Sequence, residues 1–451
     1  MGGAGHIRIV VIASLAGMLF GFDTAVIAGV THALRVVFAL SPSGLGITVS
    51  SALWGTLLGA LVMGRPGDRF GSRDTLRFIG FLYVLSAVGC ALAWSLPAFF
   101  VFRFLAGIAI GGSSVLAPVY ISEIAPAKRR GALVGLFQVN IVVGILLAYC
   151  SNFLVAQWVS GPDAWRWKLA VAALPALVFA ALLFTIPQSP RWLALKGRLA
   201  EAAASLRRLG SANPRAVIER FAQASDAPHG ERQALSWRRH RRPILLAIGL
   251  AMFNQLSGIN AILYYLGDIF AAAGFSAWSG DLQSVAIGAT NLVATLVAMT
   301  LIDRLGRRTL LLAGSVGMAF ALAGVALIMA TDSARAWLLA LLVVFIASFA
   351  ISQGAVIWVY LSEIFPTAVR ARGQSVGSAT HWFMNACISA LFPVVAAYSK
   401  AVPFAFFALM MLLQFAAVWL LLPETRGVAL EDIEAVLGAS QAPRTLAPSH
   451  T

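Results

Sequence analysis

Twelve long apolar stretches recur through the chain, near residues 8–30, 44–65, 75–95, 98–121, 131–154, 167–186, 243–272, 281–302, 309–330, 337–361, 372–398 and 401–422. Each is about long enough to cross a hydrocarbon core of ~30 Å as a helix. Composition agrees: of 451 residues, 60% are hydrophobic and 11% charged. A soluble chain carries roughly 25% charged residues. Runs of helical length, rather than alternating ten-residue segments, exclude a β-barrel. The first run is too long for a cleaved signal peptide, carries Asp23 and has no small-residue cleavage pattern after it. The expected fold class is an all-α membrane protein with twelve transmembrane helices.

The net charge of +15 raises the question of nucleic acid, and its distribution answers it. An even number of spans puts both termini on one side. Of the 33 Lys and Arg residues, 27 fall on that side, at span ends and in the loops and tail. Five fall on the other (Arg35, Arg166, Lys168, Arg335 and Lys400), and Arg103 lies within span four. Such a bias assigns the basic side and both termini to the cytoplasm. The basic loops then face lipid headgroups, with no nucleic-acid partner expected. Cys90, Cys150 and Cys387 lie in spans at no metal or disulfide spacing and read as small packing residues.

The longest loop divides the spans six and six. The expected domains are an N-terminal half at 8–186, a cytoplasmic helical linker at 187–242, a C-terminal half at 243–427 and a tail at 428–451. Leu199–Leu209 and Pro214–Ala224 read as short amphipathic linker helices. The halves also repeat. Asp68-Arg69-Phe70-Gly71-Ser72-Arg73 matches Asp303-Arg304-Leu305-Gly306-Arg307-Arg308. Ser122-Glu123-Ile124-Ala125-Pro126 matches Ser362-Glu363-Ile364-Phe365-Pro366, and Pro187-Gln188-Ser189 loosely matches Pro423-Glu424-Thr425. Three matches in one order indicate duplication. A parallel six-plus-six repeat is the architecture of a rocking secondary transporter with a substrate site between its halves.

At these residues the chain resembles the sugar porter family of the major facilitator superfamily, which includes bacterial sugar–proton symporters and mammalian facilitative glucose transporters. The resemblance rests on GFDTAVIAG at 21–29, RGAL at 130–133, PQSPRW at 187–192, NQLSGINAILYY at 254–265, DRLGRRTL at 303–310, WVYLSEIFP at 358–366 and PETRG at 423–427. It implies the major facilitator fold. Two positions depart from the family pattern: Ser72 stands where Arg is usual, and Gln188 where an acid is usual.

A sugar presents hydroxyls and an apolar face, so its site needs neutral amides and an aromatic ring. Span seven offers Asn254, Gln255, Asn260, Tyr264 and Tyr265, with Ser257-Gly258 between them as a point where the helix could break. The resemblance implies that Gln255 and Asn260 bond sugar hydroxyls, as do Gln138 in span five and Asn291 in span eight. It places Trp358 under the sugar ring. Asn254 stands where the family usually has a Gln, one methylene longer. In span eleven, His381 and Asn385 share a helix face. His381, where the family usually has Gln or Asn, reads equally as a ligand or as a satisfied core histidine.

Asp23 and Arg103 are ionisable groups within spans one and four. Each costs about 2.5–3.5 kcal/mol at mid-span on insertion scales, so they are expected to pair. Burial favours neutral Asp23 and Arg103 favours its charged form. Motion that separates them would therefore let Asp23 take up and release a proton. The resemblance implies the same, since proton-coupled members carry Asp at this position. The acid and arginine sets at the linker-side helix ends (Asp68, Arg69, Glu123, Arg130, Asp303, Arg304, Arg308, Glu363 and Arg370) are expected to gate that face.

The expected function is import of a monosaccharide, pentose or hexose, by proton symport, with no cofactor beyond the proton and as a monomer in a bacterial-type inner membrane. A facilitative or polyol transporter is the near alternative, and a non-transporting sugar receptor the distant one. No nucleophile–base set, metal spacing or phosphate-binding loop marks an enzyme.

Overall fold

The computed structural model describes residues 4–126, 130–211, 213–226, 235–365 and 369–425. Among these residues there is no strand, and twelve helices are long and apolar enough to span a membrane. They are α1 (His6–Gly29), α2 (Pro42–Val62), α3 (Ser72–Ala91), α4 (Leu96–Ile124), α5 (Gly131–Trp158), α6 (Ala164–Leu182), α7 (Trp237–Tyr264), α8 (Ala277–Ile302), α9 (Arg307–Thr331), α10 (Arg335–Leu361), α11 (Arg372–Tyr398) and α12 (Val402–Leu421). The tail expected at 428–451 lies outside the described residues.

Local chemistry explains several helix ends. Ser41, Ser95 and Ser276 precede α2, α4 and α8, and each hydroxyl accepts a backbone N–H from the first turn. Gly71 and Gly306 start α3 and α9 at φ of 89° and 91°, a region that only glycine enters at little cost. The duplicated motif therefore becomes a duplicated turn.

Between the halves lie the short helices Pro190–Leu195, Leu199–Arg208 and Pro214–Asp226. They define the linker face of the molecule. The helix that becomes α7 begins at Trp237 and kinks at non-helical His240, just before Pro243, so that Arg238, Arg239, Arg241 and Arg242 lead from the linker into the apolar run.

The two halves pack alike. α1 lies on α5 as α7 lies on α11, and α3 lies on α6 as α9 lies on α12. Glycines permit the closest approaches: a Cβ on Gly55 or Gly107 would strike backbone of the facing helix in the α2–α4 pair. The halves meet along two seams, α2 against α11 and α5 against α8.

Where apolar side chains cluster shows the conformation. On the face away from the linker, one buried core mixes both halves, from Phe22, Val26 and Tyr149 to Ile262, Phe270 and Phe392. Toward the linker face the core divides. One cluster holds only N-terminal residues such as Ile12, Leu76 and Ile121. Another holds only residues from the second half of the chain, such as Ile244, Leu310 and Tyr360. The halves are thus joined at the far face and parted at the linker face.

Candidate functional site

α7 breaks where the sequence suggested. Its first segment ends at Leu256, Gly258 takes the left-handed conformation at φ 79°, and the helix restarts at Ile259. The ring of Phe407 packs where a Cβ on Gly258 would stand, so this position requires glycine twice over. Ser257 repairs the break. Its hydroxyl donates to the Asn254 carbonyl at 2.6 Å and accepts from the Ile259 N–H at 3.3 Å. A later turn, at Tyr265, separates off the outer helix Leu266–Ala272.

The break gathers the amides. Gln255 Nε2 donates to Asn254 Oδ1 at 2.9 Å, and Asn260 Nδ2 donates to Gln255 Oε1 at 2.9 Å. Gln255 Nε2 also lies 3.2 and 3.3 Å from the two ring nitrogens of His381 on α11. Whichever nitrogen is unprotonated can accept. His381 is held between Trp358 of α10 and Trp382, each with ring centroids at 5.1 Å, and Trp382 in turn meets Phe20 of α1 at 5.6 Å. Trp358 keeps 38% of its surface exposed. An exposed indole beside buried amides gives apolar and polar recognition together. Before Trp358, α10 widens into a π-turn at Ala350–Gly354, which the sequence reading did not anticipate.

Gln138 on α5 is half-buried and Asn291 on α8 is buried, and neither makes a side-chain hydrogen bond among the described residues. Their amides are free to serve a ligand. Asn385 donates to the Tyr264 hydroxyl at 3.3 Å and accepts from Ser389.

The ionisable pair lies alongside. Arg103 Nη1 donates to both oxygens of Asp23 at 2.9 Å. Arg103 is 3% exposed, and its Nε has no partner among the described residues. A small cavity touches Asp23, Arg103, Thr24 and Leu53, and its only lining residue from the C-terminal half is Tyr264. Tyr264 thus borders the charged pair and bonds Asn385, one helical turn from His381.

At the linker face the acid and arginine sets bond within each half. In the C-terminal half, Arg307 donates to Glu363 at 3.0 Å, and Glu363 also accepts from Thr425. Glu424 accepts the backbone N–H groups of Arg307 and Arg308, so it caps α9. In the N-terminal half, Gln188 fills the equivalent place and accepts the Arg73 N–H at 3.2 Å. The amide oxygen thus takes one N–H at the start of α3 where Glu424 takes two at the start of α9, so the departure at 188 keeps the contact in a weaker, uncharged form. The departure at Ser72 has more effect. Ser72 occupies the place of Arg307 and gives Glu123 only a hydroxyl at 3.3 Å.

The other residues of these sets are engaged differently. Asp68 and Arg69 form no ion pair among the described residues; Arg69 instead covers the Phe70 ring. Arg304 is exposed and has no described partner, and the Arg308 guanidinium donates to the Trp419 carbonyl. Arg307, absent from the expected set, is the arginine that reaches Glu363. The turn decides this: only Leu305 and Gly306 lie between Arg304 and Arg307, but Gly306 ends one helix and starts the next, so the two arginines share no helix face. The side chains of Arg130, Asp303 and Arg370 lie outside the described residues. Breaking a buried pair by removing one partner costs roughly 3 kcal/mol or more. Arg307→Met is therefore expected to lower the thermal unfolding midpoint of the purified protein by several degrees, while Arg304→Ala leaves it unchanged. Equal shifts for the two would contradict this arrangement.

Comparisons with known proteins agree with this geometry. The sequence profile described as "Sugar (and other) transporter" matches residues 9–437. The D-xylose-proton symporter of Escherichia coli strain K12 is 34% identical over 474 residues, covering 95% of each chain. The glucose transport protein of a Synechocystis strain is 34% identical over 446 residues, covering 94% of this chain and 95% of the relative. Both relatives are named for transport rather than for chemical conversion. The solved inward-open conformation of the xylose transporter from E. coli superposes with a TM-score of 0.84 at 33% identity, covering 95% of this chain and 99% of that one. With twelve spans in two six-helix halves, a parted linker face and a match over nearly its whole length, the chain belongs to the sugar transporter family and has the major facilitator fold.

Proposed function

We propose that the protein imports a monosaccharide, pentose or hexose, together with a proton, by alternating exposure of one central site. The observation that carries this is the neutral amide cluster on broken α7, joined through Tyr264 to the buried Asp23–Arg103 pair. Uncharged donors and acceptors suit hydroxyls. The charged pair suits a proton, because it places a carboxylate able to carry one beside the amide cluster. The relative named a D-xylose-proton symporter supports both halves of the reading, and the one named a glucose transport protein supports the sugar.

Gln138, Asn254, Gln255, Asn260, Tyr264, Asn291, His381 and Asn385 would serve the sugar hydroxyls, and Trp358 the ring face. Asp23 and Arg103 would couple the proton. Glu363 and Glu123, with the arginine-bearing turns, would hold the linker-face ends of each half. The sugar would cross unaltered, its uphill movement driven by the downhill movement of the proton.

The linker face, with its excess of Lys and Arg, belongs in the cytoplasm, and both termini with it. The described conformation is then open inward. Exposed apolar side chains such as Phe320 and Leu420 would meet lipid in a bacterial inner membrane.

The test is uptake of a panel of labelled pentoses, hexoses and polyols into vesicles, with and without an inward proton gradient. Accumulation of a monosaccharide that rises with the gradient is expected. Uptake indifferent to the gradient would refute symport, and uptake confined to polyols would refute the substrate class.

A further inference from the structure

The five basic residues on the far face are all engaged. Arg166 bonds Asp163 and the carbonyls of Ala91 and Ala93, Arg335 pairs with Asp332, and Lys400 donates to the Ala272 carbonyl. Each of those contacts stays within one half. Two others cross between the halves. Arg35, beyond the end of α1, lies 3.6 Å from Asp268, and Lys168 on α6 lies 3.1 Å from Asp281 on α8.

The two crossing pairs differ in environment. Arg35 and Asp268 are 45% and 20% exposed at their side chains, whereas Lys168 and Asp281 are 11% and 14% exposed. Solvent screening leaves an exposed pair with little net effect. A dry pair is different, since either charge left alone there is uncompensated. Lys168 also donates to the Gly29 carbonyl at 3.1 Å, at the end of α1 in its own half. That contact aims the ammonium group across the seam toward Asp281. Aromatic contact between Phe153 on α5 and Trp278 on α8, and the Tyr149 hydrogen bond to the Leu263 carbonyl of α7, also cross between the halves.

We propose that Lys168 and Asp281 form an ionic latch that holds the far face closed and sets the balance between the two orientations of the carrier. When the halves part at that face, Lys168 keeps Gly29 and loses Asp281, and both charges enter water. In the closed arrangement the two charges satisfy each other. The inference rests on alternating access as proposed above but not on which substrate is carried.

This makes a signed prediction. Neutralising one partner strands the other in the closed seam and favours the open far face. Neutralising both removes the stranded charge, so the closed arrangement returns. Spin labels on cysteines at Trp158 and Tyr398, 86% and 91% exposed at the far-face ends of α5 and α11, would read the separation in a background lacking Cys90, Cys150 and Cys387. The unmutated latch should give mainly the short distance, without sugar. Lys168→Met and Asp281→Asn should each shift the ratio of short to long distances by roughly tenfold or more. Lys168→Met/Asp281→Leu and the conservative Lys168→Arg should restore the short distance, and Arg35→Ala should leave it nearly unchanged. Single variants that keep the parental distances, or a double variant that opens further than either single, would overturn the latch. Because the distances are read without substrate, a wrong assignment of sugar would leave this result standing.

Discussion

Asp23→Asn is expected to abolish proton-driven accumulation of sugar while leaving downhill exchange in place. With one proton per sugar, a gradient of one pH unit supports about tenfold accumulation. The variant should bring that ratio to about one. Asn keeps the shape of the side chain and its place beside Arg103 but has no proton to exchange. It also leaves a cation that is 3% exposed without its carboxylate, and such a loss costs roughly 3–5 kcal/mol. Reduced expression is therefore expected too, and the coupling measurement must be normalised to folded protein. Gradient-dependent accumulation by Asp23→Asn vesicles would remove Asp23 from the coupling role.

Gln255→Ala should cause the largest loss of sugar affinity. Its side chain ties Asn254, Asn260 and His381 together, with contacts of 2.9–3.3 Å. Truncation removes the bonds it would make to a sugar and frees its three neighbours from their alignment. An unsatisfied buried polar group costs about 1–3 kcal/mol, which corresponds to roughly 5- to 150-fold weaker binding. Calorimetry on purified protein reads this directly. Unchanged affinity in a folded variant would mean that the amides on α7 only pack helices together.

Much of this was legible in the chain. The spans follow from apolar length, since hydrocarbon leaves a backbone no partner but itself. The break at Ser257-Gly258 followed from placing the smallest residue among polar ones, and the Asp23–Arg103 contact from the cost of leaving either charge alone. The partners at the linker face were less legible. A turn at positive φ decides that Arg307 rather than Arg304 reaches Glu363, and sequence spacing does not carry that reversal. Gln188 looked like a loss because the motif lacks its acid. The site needs only an oxygen to accept N–H groups from a helix start, and an amide supplies one. Lys168 was grouped with loop charges because it stands four residues into α6. Only the structure shows that it is buried, with Gly29 and Asp281 as its partners.

The divided core at the linker face has a kinetic consequence. With the linker face cytoplasmic, as proposed above, an empty carrier resting in this arrangement would show its site to the cell interior. A sugar molecule outside must wait for the unloaded protein to turn around, a step that dismantles the shared far-face core with nothing bound to compensate. Sugar inside relieves that wait, because a loaded carrier makes the return journey in its place. A cell already holding its sugar would then exchange it faster than an empty cell could fill.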